Sequence, residues 1–212
     1  MNDIEAVVSD FGGVLTSPLL DSFVAFQDAT GISPEHLGQA MMAVAGKLGV
    51  NPLVELETGR MAEADFLGQL GQQLTAQLGR PVEMHGFGEA YFSHLEPNPE
   101  MIDYMRGLRE RGLRLAICTN NVREWESRWR SMLPVDEIFE LVVDSAFVGS
   151  RKPEPEIYRV TLERLGVAAD RTLFVDDVQI NRDAAREAGM QAVHFRETEQ
   201  AIGAIEAALN SS

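Results

Sequence analysis

The chain has 212 residues, 45% hydrophobic and 24% charged, with a formal net charge of −15. That size suits one domain, or a core with a sizeable insertion, and leaves enough apolar residues for a large core. The acidic balance disfavours nucleic acid or an anionic membrane as partner, because both need clustered Lys and Arg, so an anionic substrate must be held by a local site with a cation helping.

The first element is a β-branched apolar run ending in a carboxylate, within VVSDFGGVL. A buried strand over 5–10 would deliver Asp10 to its C-terminal tip, with Gly12 and Gly13 supplying permissive backbone beyond it. The next stretch, to about residue 95, has no convincing strand and several helical periods. Ser33-Pro34 reads as an N-cap and first helical residue, followed by Leu37, Met41, Val44 and Leu48 on one stripe. Phe66, Leu70, Leu74 and Leu78 form another. A helical block inserted after the first strand, returning through EPNPE (96–100), reads as a lid hinged near 15–18 and at the proline-flanked return. Its methionines Met41, Met42, Met61 and Met84 read as core packing, with an adaptable apolar pocket as the alternative.

Helices and strands then alternate. A helix over 99–111 precedes the strand 114–118, and a helix around 122–132 puts Trp125, Trp129 and Met132 on one buried face. A strand near 138–143, a helix over 154–165 and a strand at 172–176 follow. The helix 180–188 stops at Gly189, a strand occupies 191–195, and the tail 198–209 is amphipathic through Ile202, Ile205 and Leu209. Strands joined by helices in this way predict an α/β fold, a doubly wound parallel sheet. The core is expected in 1–15 and 97–212, and the helical insertion in 16–96.

Ligands of such sheets collect outside the carboxyl ends of the strands. Asp10, Thr119 and Asp176–Asp177 fall at such ends, and Lys152 lies in the loop after another. An aspartate can attack phosphorus and so split a hard hydrolysis into two steps. Carboxylate oxygens suit Mg²⁺, which bridges to the phosphoryl group. Thr119 offers a hydroxyl, backbone N–H groups at 11–12 and 120 can cradle oxygens, and Lys152 neutralises charge and restrains the nucleophile. The set makes a metal-assisted phosphoryl-transfer site. Asn120 and Asn121 shape the turn after 114–118, with Asn120 also placed to touch phosphate, and Asn181 braces the acidic loop. Asp176–Asp177 can also cap the helix near 180. Cys118, the single cysteine, reads as a small core residue and suits a reducing compartment. The histidines show no zinc spacing. No apolar run approaches membrane-spanning length, and a strand beginning near residue 5 leaves no room for a signal peptide ahead of it, so a cytoplasmic protein is expected.

The ordered set DFGGVL, CTNN, RKPEPEIY and FVDDVQINRDAA resembles the haloacid dehalogenase superfamily of phosphatases and related hydrolases, whose Rossmann-like core carries an inserted cap. LETGRMAEADF (56–66) is similar to the segment that begins the cap in that group. The resemblance implies that Asp10 is the nucleophile and a Mg²⁺ ligand, and that Thr119 and Lys152 bind phosphate. It also implies that Asp177 ligates Mg²⁺ directly, Asp176 through water, and Gly12 through its carbonyl. One departure stands out: the phosphatases usually carry a second aspartate, as general acid and base, at the position of Gly12. Losing that help typically costs about 10²–10⁴-fold in rate. Three explanations are open: a leaving group that needs little protonation, such as an anomeric or acyl phosphate; a proton supplied from the cap by His36, His85, His94 or Glu57; or binding without turnover. The expected activity is a Mg²⁺-dependent phosphatase of a small phosphorylated metabolite, working through an aspartyl-phosphate. The alternative is a catalytically impaired phosphate- and Mg²⁺-binding regulatory protein. Halide displacement by Asp10 ranks third, since acids beside it with no cation would repel its charge.

Overall fold

In the computed structural model, residues 3–84 and 86–211 are described. A five-stranded parallel sheet forms the centre, in the order β3-β2-β1-β4-β5. Its strands are β1 (Ala6–Ser9), β2 (Arg114–Thr119), β3 (Leu141–Asp144), β4 (Thr172–Asp176) and β5 (Gln191–His194). β1 is the middle strand and wholly buried, as an apolar run covered on both faces must be. Residues around it divide into two apolar clusters, one on each face. Val7, Leu115, Ile117 and Leu173 join the first, and Val8, Ala116, Cys118 and Phe174 the second, as the alternation along each strand requires.

Between β1 and the rest of the sheet lie α1 (Leu19–Thr30), α2 (Pro34–Leu48), α3 (Pro52–Glu57), α4 (Glu63–Leu78) and α5 (Phe87–Ser93). They build a separate apolar cluster from Phe26, Leu37, Leu56, Phe66, Leu70 and Leu74, which continues onto Val122 and Trp125 beyond β2. α2 starts as the sequence predicts: the Ser33 hydroxyl accepts from the His36 N–H, and Pro34 occupies the first turn. The two connections between this block and the sheet run side by side. Thr16 bridges Pro97, Ser17 N–H donates to the Glu96 carbonyl, and Asn98 N–H donates to the Leu15 carbonyl.

α6 (Pro99–Glu110), α7 (Glu126–Arg130), α8 (Val135–Ile138), α9 (Ser145–Val148), α10 (Pro155–Leu165), α11 (Gln179–Glu187) and α12 (Thr198–Leu209) complete the chain. Several expectations need correction. The strand near 138–143 begins only at Leu141, because Val135–Ile138 closes a helical turn with Ile138 buried. The helix around 122–132 is a 3₁₀ turn, Arg123–Trp125, followed by the short α7, although Trp129 is buried as foreseen and Trp125 and Met132 pack beside it. Leu48 and Met42 face solvent at 40% and 68% exposure, so neither joins the apolar stripe or the core. Among the described residues, no helix is long and apolar enough to cross a membrane.

Candidate active site

Asp10 follows β1 directly, and its N–H donates to the Val175 carbonyl of β4, which pins it between the two central connections of the sheet. Its Oδ1 accepts from the Phe11 N–H at 2.6 Å and lies 2.8 Å from Lys152 Nζ. The same ammonium donates to Asp176 Oδ2 at 2.7 Å. Lys152 is 1% exposed, so one buried cation bridges two buried carboxylates. Burial works to lower the Lys152 ammonium, but Asp10 and then Asp176 outweigh it and hold it above its usual value. Burial pushes the Asp10 carboxyl up to about 7 against the pull of Lys152, with Asp176 and Asp177 adding to the rise.

The position of Lys152 is set from β2. The Asn120 side chain accepts from the Lys152 N–H at 2.7 Å and donates to its carbonyl at 2.9 Å. This amide clamp makes Asn120 first a positioner of the lysine, with one amide hydrogen left over for a ligand. Thr119, the last residue of β2, is buried at the cavity floor. Asp176, the last of β4, is fully buried and richly bonded: Val178 N–H donates to its Oδ1 at 2.8 Å and Asn181 reaches both oxygens at 3.2 Å. Asp177 is exposed and lines the cavity, and Arg182 ties the loop down by donating to the carbonyls of Asp176 and Asp177. Burial and then Asp176 raise the Asp177 carboxyl. Asp10, Asp176 and Asp177 each offer an oxygen within 4.8 Å of the others. All the sequence-predicted site residues thus converge.

Gly12 and Gly13 are there for different reasons. Gly13 has φ +78°, and a Cβ on it would stand 2.8 Å from Asp177 Oδ2, so the backbone passes too close to the acidic loop for any side chain. A Cβ on Gly12 would lie 2.9 Å from Leu19 Cδ2. The place of the missing second aspartate is therefore covered by the first residue of α1.

Above this floor is a cavity of about 660 Å³, roofed by α1–α5. Of the proton-transfer candidates, Glu57 lines it. His36 spends Nδ1 on the Ser33 N–H, His94 is outside the lining, and His85 falls outside the described residues. Glu57 Oε2 pairs with Arg151 Nη1 at 2.9 Å, off the line of a hydrogen bond, and burial raises its carboxyl despite that cation. The sequence signals that could have singled out this pair were faint: Arg151 precedes the site lysine, and Glu57 opens the TGR turn. Nothing local pointed to Leu19 over Gly12.

The profile of the haloacid dehalogenase-like hydrolases matches residues 4–189. Among curated relatives, phosphatase MT3486 of Mycobacterium tuberculosis is 29% identical over 89% of this chain and 86% of its own. The sesquiterpene phosphatase astK of Aspergillus oryzae is 28% identical over 92% and 91%. Acyl-CoA dehydrogenase family member 10 of mouse is 28% identical over 96% of this chain, which spans only 19% of that protein's length. Among solved structures, a predicted HAD-like hydrolase from Porphyromonas gingivalis superposes over all of both chains with a TM-score of 0.72 and 23% identity. The L-2-haloacid dehalogenase RSc1362 does so over 92% of this chain and 87% of its own, with a TM-score of 0.68 and 21% identity.

Proposed function

The chain belongs to the haloacid dehalogenase-like hydrolases, and from that premise we propose that it is a Mg²⁺-dependent phosphatase of a small phosphorylated metabolite, with residues 16–96 as its cap. The observation that carries this reading is the buried Lys152 bridge between Asp10 and Asp176, with Asp177 completing an all-oxygen acidic cluster. One ammonium against three carboxylates leaves the floor negative, and the donors are hard oxygens without His or Cys, which fits Mg²⁺ rather than zinc. Asp10, Asp177 and the Gly12 carbonyl would hold the ion, with Asp176 behind them. When bound, Mg²⁺ supplies charge neutralisation at the phosphoryl oxygens and keeps Asp10 ionised.

The protein's own groups do the rest. Phe11 N–H and Lys152 Nζ both address Asp10 Oδ1, so attack on phosphorus is assigned to Oδ2. Thr119 Oγ1 and the Asn120 N–H receive the phosphoryl oxygens as the bond from Oδ2 forms and the bond to the leaving group breaks. Water then attacks the phospho-aspartate, releases phosphate and restores the carboxylate. Glu57, on the cavity wall, is our candidate for proton transfer in place of Gly12. Phosphatase relatives from several sources support the chemistry without agreeing on a substrate. Halide displacement fits less well, because Asp176 and Asp177 would stand beside the nucleophile with no added cation.

The test is release of p-nitrophenolate from p-nitrophenyl phosphate in Mg²⁺ against excess chelator. Metal-dependent turnover supports the reading; its absence, with Mg²⁺ and phosphate still bound, moves the assignment to a non-catalytic binding protein. Mg²⁺ should also stabilise the fold. At a concentration 100-fold above its Kd, linkage gives about 2.7 kcal/mol, or roughly 5–10 °C in Tm for a chain of this size. Asp177→Asn should remove most of that shift in a thermal melt, and an undiminished shift would count against Asp177 as a ligand.

The Gly12 departure can be tested once Leu19 is considered. Gly12→Asp alone would push its Cβ into Leu19, so the informative variant is Gly12→Asp with Leu19→Ala. Restored acid–base help should raise kcat for alkyl phosphates by on the order of 10²-fold, with a much smaller gain for p-nitrophenyl phosphate, whose phenolate leaves unaided. Equal gains for both would sink the missing-acid argument.

A further inference from the structure

The cap wall of the cavity is almost entirely aromatic and aliphatic. Phe87 lies 6.5 Å from Phe23 and 6.4 Å from Trp125 between ring centroids, and Tyr91 stacks on Trp125 at 5.3 Å. Met41 and Leu70 extend this surface. Polar atoms in the wall are few: Trp125 Nε1 donates to Glu63 at 2.7 Å, Glu57 faces Arg151, and among the described residues the Tyr91 hydroxyl is the one neutral side-chain donor besides them on the cap helices. Of the cavity's cations, Lys152 bridges Asp10 and Asp176, and Arg151 has its charge offset by Glu57 and its Nε on the Lys152 carbonyl, so neither offers an uncompensated positive charge to a second anionic group on a ligand. The rim is apolar too. Leu19, Val178 and Ile180 line the cavity and are 37%, 44% and 59% exposed, three of the eight large apolar side chains that reach solvent among the described residues.

We propose that the phosphate monoester taken by this site carries an apolar, multi-carbon group, seated between the aromatic cap wall and the apolar rim, and no second anionic group. This rests on the phosphatase reading and adds the substrate's chemical class. A polyhydroxylated sugar would leave hydroxyls against ring faces with few partners, each unpaired one weakening binding on the order of tenfold. A hydrocarbon gains about fourfold for each methylene fully buried.

Acyl phosphates separate the two claims, because their leaving groups are matched while the chain length varies. From acetyl to octanoyl phosphate, kcat/KM in Mg²⁺ should rise at least about 30-fold, allowing for partial burial. Octyl phosphate should be preferred to glucose 6-phosphate, both being alkyl esters. Leu53→Gln and Leu67→Gln, each half-buried in the cap wall, should flatten the chain-length dependence. A second readout needs no turnover: calorimetric binding of ethyl- and octylphosphonate to Asp10→Asn in Mg²⁺, where the longer ligand should bind tighter with a more negative heat-capacity change. Turnover without chain-length dependence overturns this inference and leaves the phosphatase standing. Chain-length-dependent phosphonate binding without turnover does the reverse. A flat response in both overturns both.

Discussion

Replacing Asp10 by Asn is expected to lower kcat for p-nitrophenyl phosphate in Mg²⁺ by at least about 10⁴-fold, the scale of losing a covalent nucleophile. The substitution keeps the shape of the side chain. Its amide oxygen can still accept from the Phe11 N–H and face Lys152, and its amide nitrogen replaces the oxygen assigned to attack. Folding should survive, because the lost charge was costly as well as useful: burial already raises the Asp10 carboxyl to about 7. A melt should place the variant within a few degrees of wild type, about the effect of 1 kcal/mol in a chain of this size. The wild type, quenched in acid during turnover of labelled substrate, should retain phosphate on the protein; Asp10→Asn should not. Residual activity above roughly one part in a hundred would remove Asp10 from the nucleophile's role, since acid–base help alone accounts for about 10²–10⁴.

The floor of this site was legible because its residues sit at strand ends. Ala6–Ser9, Arg114–Thr119 and Thr172–Asp176 are apolar runs covered on both faces, and each finishes at the point where the chain must leave the sheet. Polar residues placed there announce a ligand edge. The third strand was harder to bound, since Ile138 and Phe139 are at least as buried as the strand they precede, while Ile138 ends a helical turn and Phe139, though extended, caps it. Apolar runs alone do not distinguish the two. The helix after β2 was overdrawn for a related reason: the spacing of Trp125 and Trp129 is real, but a 3₁₀ turn carries the first and a separate short helix the second. Helices of the roof were legible from their apolar stripes, but the contacts that make them a cavity wall were not. Leu19 meets Gly12, Glu57 meets Arg151, and Phe23 meets Phe87 only through tertiary packing of segments with no shared period. The apolar cavity is a sum of such contacts, so the sequence could name an adaptable pocket without showing its lining.

Lys152→Met should destabilise the fold more than any other single change at the site. The ammonium is the common partner of Asp10 and Asp176 inside a region with almost no solvent, 5.6 Å from the Phe174 ring. Met fills a similar volume and removes only the charge, which leaves buried carboxylates facing each other. Breaking a buried pair in this way costs about 3–5 kcal/mol, or roughly 6–20 °C in Tm. The deficit should depend on pH. Asp10 is already raised from its ordinary value of 3.8 to about 7, and without Lys152 it rises further. A carboxyl raised in the folded state binds a proton that the unfolded chain has released, so its unfavourable contribution grows as pH increases above about 4. The Tm difference between variant and wild type should therefore be larger at pH 8 than at pH 5, where protonation substitutes for the ammonium. Activity should fall about 10²–10³-fold, as for loss of one preorganised donor at a developing charge. The double variant Lys152→Met with Asp176→Asn separates these effects. It should regain much of the stability, because one of the opposed charges is gone, and regain none of the turnover. Recovery of both would make Lys152 a structural counter-ion only; recovery of neither would mean that Asp10 alone, and not the pair, is what the lysine supports.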